Sequence, residues 1–218
     1  MVSRDERCFI VAIHANDIKK IVSWVLKHPA EETGGDLFGS GEETHEGSEN
    51  TLNVKYVIGP GELCRRTTFS FHQDVRYASK MEIYLNDHRG MEHVALWHSH
   101  QNSLDQPSTE DENMVWNTMP SHDINRFVLM IAKITERSSE RVSVALKYFL
   151  FQIDQKTDER LPVLLGKFRV VSVDQNEADR NDIQRVELEG AECLITEKEF
   201  ASFDITETET SVIGCRKN

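Results

Sequence analysis

Two strongly apolar runs, residues 126–134 and 141–151, stand on either side of a short polar turn. Near-continuous apolar runs bounded by turn residues predict strands buried in a core. Residues 92–98 form a third such run and predict a central strand. Around these three the pattern adds strands at residues 8–13, 53–58 and 167–173, and a turn feeding a strand at residues 31–39. Three helices are expected. The first is capped by Asn16 or Asp17 and runs to about residue 28, with Ile18, Ile21, Val22, Val25 and Leu26 at helical spacing and Pro29 ending it. The second spans about residues 73–87, with Val75, Ala78, Met81, Ile83 and Leu85 supplying apolar surface. The third opens at residues 108–111 and runs to about 118. No internal repeat is visible. Strands and helices mixed in this way predict an α/β (α+β) domain, one sheet flanked by helices.

Charge narrows the function. The chain has 218 residues and a formal net charge of −12. Phosphate backbones would be repelled, so nucleic acid is not an expected partner. No stretch approaches the roughly 20 apolar residues that span a bilayer, so no membrane is expected either. The charged start, Met1 to Arg7, predicts no secretory leader. Four scattered cysteines, with no paired spacing, suit a reducing, cytoplasmic setting and exclude a Cys-x-x-Cys metal site. Residues 41–50 read as a polar, acidic surface loop. The composition turns acidic and polar near residue 176. Residues 1–175 are therefore expected to form the folded domain and 176–218 an acidic, largely mobile C-terminal extension, with one strand at residues 186–188.

The chemistry concentrates in one stretch. His98 and His100 lie two apart at the end of a predicted strand, so both imidazoles point to one face and Ser99 to the other. Two imidazoles with a carboxylate form a good zinc-ligand set, and three protein ligands with one open position is the catalytic arrangement. Asp111, in the first turn of the following helix, is the natural third ligand. Water in the open position needs a base. Glu32 and its neighbour Glu31 are both candidates. Gly34 and Gly35 beside them would let the backbone pass close to the metal loop and substrate. Ser108 can donate a hydrogen bond to an oxyanion. Ser108 and Asp111 also read as a capping box at a helix start. With nine His, the serines and the aspartates of this composition, the full spacing arises by chance in about two of a thousand such sequences.

The pattern His-x-His, seven residues, Ser-x-x-Asp, preceded by Glu-x-x-Gly-x-Leu-x-Gly, resembles that of the JAMM (MPN+) metalloproteases. The chain carries it as Glu32-Thr33-Gly34-Gly35-Asp36-Leu37-Phe38-Gly39, then His98-Ser99-His100, then Ser108 and Asp111. The resemblance extends over about residues 8–173. It implies a curved, mostly antiparallel sheet flanked by helices. It also implies a zinc-dependent isopeptidase or peptidase acting on ubiquitin or ubiquitin-like tails. By matching positions, His98, His100 and Asp111 would ligate zinc, Glu32 rather than Glu31 would be the general acid/base, and Ser108 would steady the tetrahedral intermediate. The implied partners are ubiquitin or ubiquitin-like conjugates, with a regulatory partner subunit left open. The stretch Val57-Ile58-Gly59-Pro60-Gly61, then Arg65-Arg66-Thr67 and Phe71, looks more like the bacterial branch.

The chain departs from the family at Gln101, where many members carry proline. That should alter loop stiffness and leave ligation alone. Residues 111–127 also leave little room for the long insertion that some deubiquitinases use. An amidase on a non-ubiquitin substrate and a non-catalytic scaffold subunit are the alternative readings. Strand parity assigns His93 to neither ligand's face, so it reads as structural. Trp97 reads as a packing residue, and Met114, Trp116 and Met119 as core or cleft border.

Overall fold

The computed structural model describes residues 9–42, 50–101, 104–121, 124–138, 141–171, 177–188, 200–206 and 211–217. β1 (Phe9–His14) leads directly into α1 (Ala15–Lys27), followed by β2 (Gly34–Glu42) and β3 (Asn50–Val57). A small antiparallel pair comes next, β4 (Arg65–Arg66) with β5 (Phe71–His72). Then follow α2 (Val75–Arg89), β6 (Glu92–His100), α3 (Thr109–Ser121), β7 (Arg126–Arg137) and β8 (Arg141–Gln152). The chain ends with β9 (Leu164–Leu165), β10 (Lys167–Val171), α4 (Glu177–Leu188), β11 (Phe200–Thr206) and β12 (Ser211–Lys217).

One large sheet runs in the order β10-β1-β3-β2-β6-β7-β8-β12-β11, with β9 also pairing β8. Its pairs are antiparallel except β1 with β10, β1 with β3, and β6 with β7. The fold is therefore a mixed α+β domain with a curved, mostly antiparallel sheet flanked by helices, as expected. β6 sits centrally between β2 and β7, so its C-terminal end is held on both sides.

The apolar runs of β7 and β8 follow from burial on both faces. In β7, Val128, Met130 and Ala132 join the core that packs Ile18, Ile21, Val22, Trp24 and Val25 of α1. The alternate residues Phe127, Leu129 and Ile131 pack with Val115, Trp116 and Met119 of α3 and with Phe151. A strand covered on both sides cannot alternate apolar with polar, and this one does not. A third cluster places Tyr77, Met81 and Leu85 of α2 on Phe38, Tyr56 and Ile58.

Four expectations are corrected. α1 starts at Ala15, and its N-cap is His14, whose Nδ1 accepts from Asn16 N–H at 3.1 Å; neither Asn16 nor Asp17 is the cap. On α2 the buried residues lie at i, i+4 and i+8, which leaves Val75 and Ile83 exposed. Residues 186–188 are the end of α4, not a strand. Glu187 there is buried, where its carboxylate accepts from Lys20 at 2.9 Å and from the Tyr56 hydroxyl. Nor are residues 200–217 a loose tail where they are described. β12 pairs antiparallel with β8 from Ser211↔Leu146 to Arg216↔Arg141, and β11 adds outside it. Most of the loop expected at residues 41–50 lies outside the described residues.

Candidate metal centre

His98 and His100 occupy the last turns of pleat in β6, where alternation directs both rings into one cleft and Ser99 into the interior. The strand opposite is β2, with Gly34 facing His98 and Gly35 facing Trp97. Both glycines are required by close approach. A Cβ on Gly34 would stand 2.5 Å from the Trp97 carbonyl oxygen, and one on Gly35 would stand 2.2 Å from that of Ile58. The neighbours they admit are the Trp97 backbone and side chain, Phe71 and the carbonyls of Ile58 and Gly59, rather than the metal loop itself. Trp97 is buried, stacks on Trp24 and donates its Nε1–H to Ile58 O at 3.1 Å, so it is a packing residue.

Asp111 reaches the histidines because α3 begins with a reciprocal cap. Ser108 N–H donates to Asp111 Oδ2 at 2.7 Å, and Asp111 N–H donates to Ser108 Oγ at 3.1 Å. The capping box of the sequence is therefore real, and it holds Asp111 in place. The two readings of Ser108 are compatible: its oxygen accepts from the helix while its own O–H proton remains available to donate.

The three side chains converge. His98 Nε2 and His100 Nε2 lie 2.9 Å apart, Asp111 Oδ1 lies 3.3 Å from His98 Nε2, and Asp111 Oδ2 lies 3.2 Å from His100 Nε2. These atoms form a group able to hold a metal ion. Donors bonded at about 2.0 Å to a tetrahedral ion stand about 3.3 Å from one another; here the two ring nitrogens lie 2.9 Å apart, and with one ligand atom taken from each residue all three lie within 4.8 Å of one another. Two imidazoles with one carboxylate also match the borderline-soft preference of zinc. Burial alone would raise the Asp111 pKa, but hydrogen bonds from His100 and His98 and their charge hold it far below the usual carboxylate range.

Glu32 and Glu31 part company. Glu31 is exposed, its carboxylate 3.8 Å from His28 Nδ1. Glu32 is only 7% exposed and lines the same cleft as His98, His100, Ser108 and Asp111. Burial pushes the Glu32 carboxyl above its ordinary pKa; His98 and His100 pull it down, and Asp111 adds to the rise. All five residues singled out from the sequence thus face one cleft of about 810 Å³.

The cleft walls were not foreseen in full. Phe69, 78% exposed, Val75, Leu104 and Met114 line it with apolar surface. A phenylalanine in the polar run Thr67-Thr68-Phe69-Ser70 was the available signal. Trp116 and Met119 are core instead. His93 is structural, as read, but not on the face that parity assigned it. Ala95 pairs with Leu37 but His93 pairs with Phe38, so Val94 is an extra residue in β6. Past that bulge the alternation inverts. His93 packs on Phe38 and Phe127, on the side of Leu96, with its Nε2 3.3 Å from Asp36 Oδ1.

Fold and site together define a JAB-type domain bearing a two-histidine, one-aspartate cluster in an open cleft. The sequence model for prokaryotic homologs of the JAB domain matches residues 14–146, and the chain belongs to this family. The family includes metallopeptidases. No curated protein matches the chain. Among the described residues, no helix is long and apolar enough to cross a membrane.

Proposed function

We propose that the protein is a zinc-dependent peptidase or isopeptidase that hydrolyses amide bonds at the C-terminal tails of ubiquitin or ubiquitin-like proteins. The observation that carries this reading is the convergence of His98, His100 and Asp111 in the cleft that Glu32 also lines. The residues fit zinc by donor type and spacing.

When bound, zinc supplies the Lewis acidity that lowers the pKa of a water toward 7 and polarises a carbonyl. The protein supplies the rest. Glu32 accepts the proton of the attacking water on its carboxylate and returns it to the leaving nitrogen. Burial favours that exchange by bringing the carboxyl pKa closer to neutrality. The Ser108 hydroxyl donates to the oxyanion that develops at the scissile carbonyl. Phe69, Leu104 and Met114 supply apolar walls on which an extended chain can lie. Main-chain pairing of such a chain would leave affinity independent of most of its side chains.

The test is a panel of ubiquitin chains and ubiquitin-like fusions, incubated with and without a zinc chelator. Hydrolysis that the chelator removes supports the reading. Glu32→Gln should bind zinc normally and lose activity, and His98→Ala should lose both. Wild-type rates from Glu32→Gln would sink the assigned mechanism.

A further inference from the structure

The segment that presents Glu32, residues 28–33, is tied to the end of β6 by two side chains that point away from the cluster. Ser99 is fully buried; its N–H donates to Thr33 O at 2.7 Å, and its Oγ accepts from Thr33 N–H at 3.0 Å. Gln101 Nε2 donates to Glu31 O at 2.9 Å and to Ser99 Oγ at 3.1 Å, with His28 O at 3.4 Å. An amide nitrogen carries two N–H groups, and the two shorter contacts use both. On the far side, Glu32 N–H donates to Thr67 O at 2.8 Å, and Arg66 Nε donates to Thr33 Oγ1 at 3.3 Å. The peptide groups on both sides of the Glu32 Cα are therefore anchored, and the anchors on the β6 side converge on Ser99 and Gln101.

We propose that Gln101, acting through Ser99, is a positioning residue that holds the Glu32 carboxylate over the metal centre. The proposal rests on the function given above. A base must be held to a fraction of an ångström, since a misplacement of about 1 Å can cost about a hundredfold in rate. Glu32 sits on a loop, which supplies no such precision by itself. The strand that carries His98 and His100 does, and Gln101 transfers its rigidity to the loop.

The 218-residue chain with zinc, as wild type, Gln101→Leu, Gln101→Glu and Ser99→Ala, decides the matter. Gln101→Glu keeps the shape and removes both donors. Expected for each variant are amide hydrogen exchange at residues 31–33 faster by about tenfold or more, kcat lower by about tenfold to a hundredfold, and KM and zinc affinity within about threefold of wild type. Unchanged exchange, or unchanged kcat, in both Gln101 variants overturns the proposal. So does a loss of activity that follows weakened zinc binding, which would mark a general structural role. A wild-type protein that binds zinc yet hydrolyses no substrate would remove the proposed function, and with it the claim that Gln101 positions a base. The exchange measurement would then report only whether Gln101 holds the loop.

Discussion

The Nε2 atoms of His98 and His100 face each other at 2.9 Å, and each has an Asp111 oxygen within 3.3 Å. Two ring nitrogens held this close, each beside a carboxylate oxygen, are placed to share one cation. The protein should therefore take up one zinc ion per chain. His98→Ala, His100→Ala and Asp111→Ala should each lower the bound zinc to less than about a tenth of wild type, because three ligands are the minimum of a catalytic site. Elemental analysis after desalting reads this directly. Zinc at a hundred times its Kd should add about 2.7 kcal/mol to wild-type stability and almost nothing to the variants. Equal metal content in all four proteins would refute the ligand assignment.

Ser108 does two things that one substitution separates by size. As the N-cap of α3 it accepts from Asp111 N–H, and losing such a cap costs about 1 kcal/mol. As an oxyanion donor it would be worth about a hundredfold or more in kcat. Ser108→Ala should show both, read by chemical denaturation and by steady-state kinetics. A stability loss with kcat within a few-fold of wild type would leave Ser108 as a cap alone.

Glu187 anchors α4 by burying a charge. Its carboxylate meets Lys20 at 2.9 Å, with both side chains about nine-tenths buried, and the Tyr56 and Tyr77 hydroxyls donate to it as well. Removing one partner leaves the other charge unpaired, at a cost of about 3–5 kcal/mol. Glu187→Leu and Lys20→Met should each fall in that range by denaturant titration. The double variant should recover much of the loss, since replacing a buried pair by apolar groups is often nearly neutral. Strictly additive losses would show that the pair does not act as one.

The candidate metal cluster was legible because its information is local. Two residues along a strand set His98 beside His100, and three residues into a helix set Asp111 against Ser108. Glu32 lies 66 residues upstream of His98, so bare residues left it level with Glu31, and only the resemblance separated them. The core strands were legible from their unbroken apolar runs. What escaped reading depended on distant partners. Residues 186–188 look like a strand by composition, yet they end a helix because Glu187 finds Lys20 and Tyr56. The parity of His93 failed because a single extra residue, Val94, is set by the pairing of β2 with β6. Gln101 looked like a mere departure from the family until its acceptors on Glu31 and Ser99 were placed.

His93 gives the fold a pH dependence of known sign. Burial alone would lower its pKa, but the Asp36 carboxylate at 3.3 Å, helped by Glu82, raises it above the ordinary value. Asp36 also accepts from Gln73 at 2.8 Å, so the pair ties β2 and β6 to the start of α2. A histidine whose pKa is higher in the folded state binds its proton more tightly there. Its contribution is fully present below the unfolded value of about 6.5, and it is lost as pH rises through the raised folded value. The melting temperature of the wild type should therefore fall relative to His93→Gln as pH climbs from about 6 to about 8. A constant difference between the two proteins across that window would mean that His93 packs between Phe38 and Phe127 as a neutral ring and that its charge contributes nothing.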